Sequence, residues 1–318
     1  MSFTETLWLV LAAVYALTCV LLSIGVALVW HAILERRRST PGELLTLRLL
    51  PAVGAALLTL AVALPAFWIH EPRHQAEPAG PLVVVLALLA SAVAGHGMIR
   101  GWRAWAATRA LLRRCDLAGR SPVQSSARTV DIVGIPEPLA AVVGAWRPRV
   151  LAADCVRAAC SDEEFRQVIA HETAHVKAHD NAKLLLQIIS PDALAWLPAG
   201  EALTERWRAA AELEADARAS GADPFKRVAL AAALVKVARL SPGTGRRSLA
   251  LTMPVAIDDV ADRVRALLAP LPIPRRQLPL GVLVALALMI PVAGLPLHGF
   301  VHESIESLVA FGAGYDGW

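Results

Sequence analysis

SDEEFRQVIAHETAHVKAHD, residues 161–180, is the stretch on which the reading of this chain turns. Ser161 followed three residues later by Glu164 is a capping box: the Ser161 side chain caps the Glu164 amide, and Glu164 reaches back. It opens a helix predicted to run through about Asn181, or as far as Ile189. Inside it, His171, Glu172 and His175 form an H-E-x-x-H pattern. Two histidines four residues apart project from one helix face, one turn apart. There a single tetrahedral Zn2+ can take both. Glu172 flanks that point, placed to polarise the attacking water and accept its proton. His171 and His175 are therefore the expected metal ligands and Glu172 the expected catalytic base.

A catalytic zinc takes three protein ligands and keeps a fourth position open. The third ligand is expected downstream, in Ala211-Glu212-Leu213-Glu214-Ala215-Asp216. Glu212 and Asp216 are four apart and share a helix face, which Glu214 does not. Glu212 is expected on the metal, with Asp216 accepting a histidine N–H behind it. Asp180 is expected to orient His175 or to pair with a nearby cation. His179, one further step of four past His175, is too far along the axis to share the same ion as His171 and is expected in solvent.

Around this polar segment the composition is that of a membrane protein. The chain is 56% hydrophobic and only 18% charged, against about 25% charged in soluble domains. Leu7–Trp30 and Leu49–Ile69 hold no charge; Pro81–Ile99 and Leu278–Phe300 are broken only by His96 and His298. Each is near the ~20 residues that cross a bilayer. The first loop carries Arg36, Arg37, Arg38 and Arg48, six arginines from Arg100 to Arg120 follow the third run, and Arg275 and Arg276 precede the fourth. The positive-inside rule then puts the N-terminus outside, the insert inside and the C-terminus outside. Basic flanks of spans account for the net charge of +4, so nucleic acid is not an expected partner.

The expected fold is a mainly α membrane protein. Three transmembrane helices occupy 1–100, an α+β zincin-like cytoplasmic metallopeptidase domain 101–277, a fourth transmembrane helix 278–300 and a short extracytoplasmic tail 301–318. Within the insert, Arg128–Ile135 alternates and reads as a strand. Arg147–Ala152 reads as a second short strand, and Glu201–Ala219, Phe225–Leu240 and Ile257–Leu268 as helices. The Arg128–Ile135 strand is expected to hold an extended substrate by edge pairing. The cysteines at 19, 115, 155 and 160 show no metal or disulfide spacing. His96, between Gly95 and Gly97, is expected to face another helix, and the Trp residues at 68, 102 and 105 to anchor at an interface.

These motifs resemble the BlaR/MecR-type membrane metallopeptidases, gluzincins whose protease domain precedes the last transmembrane helix. The similarity is strongest from about Pro136 to Ala219. It rests on Pro138–Leu151 with Gly144 and Pro148, on Ser161–Asp180, and on Glu212 with Asp216. The resemblance implies zinc on His171, His175 and Glu212, Glu172 as base, and a protein substrate: a cytoplasmic repressor or a membrane protein. Sensor members carry a penicillin-binding domain after the last span, which Val301–Trp318 does not supply. HtpX-like and CAAX-prenyl-protease-like gluzincins share H-E-x-x-H and E-x-x-x-D. A further alternative is a non-catalytic membrane signalling protein with a relict zinc site.

Overall fold

The computed structural model describes residues 2–32, 39–70, 79–124, 129–240 and 257–269. These divide into two compact units. One is built from described residues of Met1–Ile99 and Ile189–Thr204, the other from those of Arg100–Ile188 and Glu205–Arg276.

The first unit contains α1 (Phe3–Ala32), α2 (Pro41–Leu58), α3 (Leu64–His70) and the start of α4 (Pro81–Leu117). Thr40 and Glu43 close a capping box at the start of α2, and Pro41 occupies its first turn, where its missing N–H costs nothing. A π turn, Thr59–Ala63, joins α2 to α3. It ends against Pro65, which has no N–H to offer the Ala61 carbonyl four residues back. Three helical stretches, Phe3–Ala32, Pro41–Ile69 and Pro81–Leu117, are long and apolar enough to cross a membrane. They contain the first three apolar runs of the sequence. The fourth run, 278–300, and the tail, 301–318, lie outside the described residues.

Small residues let these helices approach closely. A Cβ on Gly54 would stand 2.8 Å from Leu22 Cδ1, and one on Gly97 would stand 2.5 Å from the Ile189 carbonyl oxygen. His96, beside Gly97, meets the Trp196 ring edge-on at 6.0 Å between centroids. Arg48, grouped with loop arginines by sequence, instead lies inside α2. Its Nη1 donates to Asp192 Oδ2 at 2.7 Å, with both side chains buried. Asp192 Oδ1 in turn accepts from the Ala195 amide at 3.1 Å, capping the 3-10 turn Ala193–Trp196. Tyr15 donates its hydroxyl to the Pro191 carbonyl at 2.7 Å. Buried polar groups among apolar helices need such partners.

The second unit is α+β. Its four strands are β1 (Arg120–Gln124), β2 (Thr129–Val133), β3 (Ala140–Val143) and β4 (Arg149–Ala153), in the order β1-β2-β4-β3. β2 and β4 run parallel; the β1–β2 and β3–β4 pairs are antiparallel. The helices are α5 (Asp154–Ala159), α6 (Asp162–Ala178), α7 (Asp180–Ile189), α9 (Pro224–Leu240) and α10 (Ile257–Leu268). α8 (Pro198–Ser220) contributes its residues from Glu205 onward. Val130, Val133, Val150 and Leu151 of the sheet form one core with Phe165, Val168 and Ile169 of α6 and Ala233 of α9.

Two corrections follow from this topology. β2, predicted as the substrate-pairing edge, is an inner strand with β1 and β4 on either side. Alternation reports a half-buried strand but carries no information on strand order. Among the described residues, the sheet edge nearest the site is β3, a four-residue run too short and too evenly apolar to announce itself. Second, the H-E-x-x-H helix stops at Ala178. His179 takes a left-handed conformation, φ 57° and ψ 35°, and α7 starts at Asp180. His179 therefore leaves the helix face of His175, and its side chain is exposed.

Candidate metal centre

Ser161 and Glu164 form the expected capping box, with Ser161 N to Glu164 Oε2 at 2.7 Å and Glu164 N to Ser161 Oγ at 3.3 Å. It starts α6 in register to bury His171, Glu172 and His175 on its inner face. Lys236 of α9 donates to Glu164 Oε2 at 2.6 Å and ties the same end down. α8 brings Glu212 and Asp216 to that face, both buried. Gly221, at φ +57°, follows its last residue, a position where glycine carries no Cβ penalty.

The three expected ligands converge. His171 Nε2 and His175 Nε2 are 3.1 Å apart. Glu212 Oε2 lies 3.3 Å from His171 Nε2, and Glu212 Oε1 lies 3.5 Å from His175 Nε2. Zinc–nitrogen bonds of about 2.0–2.1 Å at tetrahedral angles separate two donors by about 3.3–3.4 Å. The donor spacing is close to that around a zinc ion. Among the described residues, His171, His175 and Glu212 are the group whose ligand atoms cluster this way. A carboxylate stands behind each imidazole, hydrogen-bonded in the case of His175. His171 Nδ1 is 2.8 Å from Asp216 Oδ1, and His175 Nδ1 is 2.8 Å from Asp180 Oδ2. Carboxylates on Nδ1 leave Nε2 as the donor towards the shared point. Asp180 also takes Lys183 Nζ at 3.2 Å. Glu214 lies off this face and pairs with Arg218.

The cleft over these groups is lined by Ala140, Ala141 and Val142 of β3 together with His171, Glu172, His175 and Glu212. Its volume, about 20 Å³, is room for one water or one ion.

Arg263 was not foreseen. Its side chain is 2% exposed. Nε and Nη2 grip Asp216 at 2.8 and 2.7 Å, and Nη1 lies 2.7 Å from Glu212 Oε2. The signal was present: Val260, Arg263 and Leu267 fall three and four apart, so α10 places one charge on its buried stripe. A charge there needs a buried partner, but only the fold shows which. Arg263→Ala leaves two buried carboxylates without their cation. The expected result is about 3–5 kcal/mol lower stability of the metal-free protein, partly restored by Zn2+. Paired thermal melts with and without the ion measure it.

These charges set the proton affinities. Burial alone would lower His171, but its bonds to Asp216 and Glu212 outweigh that and raise it. His175, also disfavoured by burial, is pushed up to about 10 by Asp180 and Glu212. Burial would raise Glu212; Arg263 and the two imidazoles overcome it and hold Glu212 well below the usual carboxylate range. Glu172 is shifted the other way, upward, chiefly by burial. A divalent ion must displace the imidazole protons to bind. Its affinity should therefore rise with pH below about 10, by about tenfold per pH unit for each proton displaced. Chelator competition at several pH values checks this; a flat profile contradicts it.

Residues 116–240 match the model of Peptidase family M48. The M48 match takes in the four strands, α6 and the Glu212 helix, and ends before the helix that carries Arg263. M48 peptidases are zinc metallopeptidases, and the match beside three apolar helices is consistent with a membrane-anchored metallopeptidase. No curated protein and no solved structure matches the chain.

Proposed function

We propose that this chain is a membrane-anchored, zinc-dependent endopeptidase that cleaves an extended protein segment at the cytoplasmic membrane face. The carrying observation is the meeting of His171, His175 and Glu212 at tetrahedral donor spacing, with Glu172 in the same cleft. Zn2+ held there supplies Lewis acidity to the scissile carbonyl and eases ionisation of water. The chain's own residues do the rest. Asp216 and Asp180 fix the imidazole rings. The buried Glu172 carboxylate, its proton affinity raised, takes a proton from the attacking water and passes it to the leaving amine. The free edge of β3 borders the cleft, so an extended peptide adding to it would lie across the site.

Membrane placement follows the apolar helices. Arg100, Arg103 and Arg109 follow the third run, and the exposed Trp102 and Trp105 lie among them, with Arg109 over the Trp105 ring at 4.3 Å. That combination suits the inner, anionic leaflet and supports a cytoplasmic protease domain at 101–277. By resemblance the role is BlaR/MecR-type regulatory cleavage of a repressor; the runner-up is HtpX-like quality control of membrane proteins.

The test is the full-length protein purified in detergent. One Zn2+ per chain is expected, with cleavage of an unfolded polypeptide that stops on chelation and returns with zinc. Stoichiometric zinc without cleavage would favour the relict-site reading. Absence of both bound zinc and cleavage would overturn the proposal. Comparing a folded soluble repressor with a destabilised membrane protein as substrates separates the two roles.

A further inference from the structure

We propose that Asn181 is a positioning residue that fixes the free edge of β3 over the metal site and limits how a substrate strand can pair with it. The inference rests on the peptidase reading. Asn181 is buried in the first turn of α7. Its Nδ2 donates to the Val142 carbonyl at 2.9 Å and to the Gly144 carbonyl at 3.1 Å. Two acceptors fix the amide orientation, since the opposite assignment would set oxygen against oxygen.

The register shows which side of the strand these carbonyls occupy. β3 and β4 pair antiparallel, with Ala140 opposite Ala152 and Val142 opposite Val150. The Ala153 amide donates to the Leu139 carbonyl at 2.6 Å, so Leu139, Ala141 and Val143 bond towards β4. Backbone groups alternate in direction along such a strand. Ala140, Val142 and Gly144 therefore turn theirs to the free edge. Asn181 takes the Val142 and Gly144 carbonyls on that edge. Among the described residues, the Ala140 N–H, the Ala140 carbonyl and the Val142 N–H face outward on that edge beside the cleft. An extended peptide would be held through these three groups, by its backbone and not by its sequence. A slip of one residue would offer it the wrong groups.

The preceding residue acts on the metal side. Asp180 holds His175 Nδ1 at 2.8 Å. The left-handed turn at His179 lets neighbouring residues serve different partners. One rigid turn thus ties the orientation of a metal ligand to the position of the edge strand.

The experiment uses full-length, zinc-loaded protein in detergent and two probes, acetohydroxamate and an extended tripeptidyl hydroxamate. In Asn181→Ala, the preference for the peptidyl probe is expected to fall about tenfold, and KM for an extended peptide to rise similarly. Zinc content, acetohydroxamate affinity and kcat should stay within about twofold. An unchanged preference overturns the proposal. So does equal weakening of both probes, because Asn181 would then merely support the metal site. If the alanine variant does not fold, Asn181→Ser, with one donor, should give an intermediate loss under the same criteria. If the parent protein binds neither zinc nor probe, the peptidase reading fails, and amide exchange decides the clamp. Loss of protection at Ala141 and Val143 in the variant supports it; unchanged protection overturns it.

Discussion

Glu172→Gln should lower kcat/KM by about 10²–10⁴-fold while one zinc per chain remains bound. Glu172 is buried on the inner face of α6, next in sequence to His171, and lines the cleft with both histidines. Glutamine keeps the size and shape of the side chain, so β3 and α6 should pack as before. It cannot accept a proton, and removing a positioned base costs about that range. Burial already disfavours the Glu172 carboxylate, which makes it a readier proton acceptor than an exposed glutamate. Single-turnover cleavage beside zinc analysis measures both halves. Activity within tenfold of the parent, at equal zinc, would assign the base to another group.

Glu212→Ala should weaken zinc binding by at least about 100-fold, the upper range for losing even an indirect supporting group. Glu212 is the carboxylate that reaches both Nε2 atoms, at 3.3 and 3.5 Å. Its removal leaves two imidazoles and, among the described residues, no third ligand clustered with them. Arg263 keeps both bonds to Asp216 in this variant, so His171 remains oriented and the loss reports on the ligand itself. Equilibrium dialysis at constant pH reads it. Full zinc occupancy in the variant would remove Glu212 from the metal site.

Together with Arg263→Ala these variants separate ligand, base and charge balance. The site gathers four buried carboxylates, Glu172, Asp180, Glu212 and Asp216, around two imidazoles and one guanidinium. Arg263 offsets part of that charge, which is why its loss should show in stability whereas loss of Glu172 should show in turnover.

The centre of the site was legible because helix periodicity is local. H-E-x-x-H fixes two rings on one face whatever surrounds them, and Ser161 with Glu164 marks where the helix begins. Glu212 and Asp216 were legible as a second pair at the same spacing, and their convergence on the histidines is seen in the distances. Apolar runs announced the three membrane-length helices for a similar reason: length and the absence of charge are properties of a segment alone. β1 hid because all five of its residues are exposed and it contains Pro122. β3 hid because four apolar residues carry no period.

What the sequence determined by itself was therefore everything that repeats along one element: the H-E-x-x-H helix, its cap, the carboxylate pair and the apolar helices. Tertiary structure decided which strand became the free edge, that His179 would break the helix and send Asp180 and Asn181 to different partners, and that Arg263 would meet Asp216 and Glu212. Those contacts join residues distant in the chain, between β3 and α7 or α8 and α10. Their partners are selected by packing and by the cost of burying a lone charge or carbonyl, which no single segment encodes.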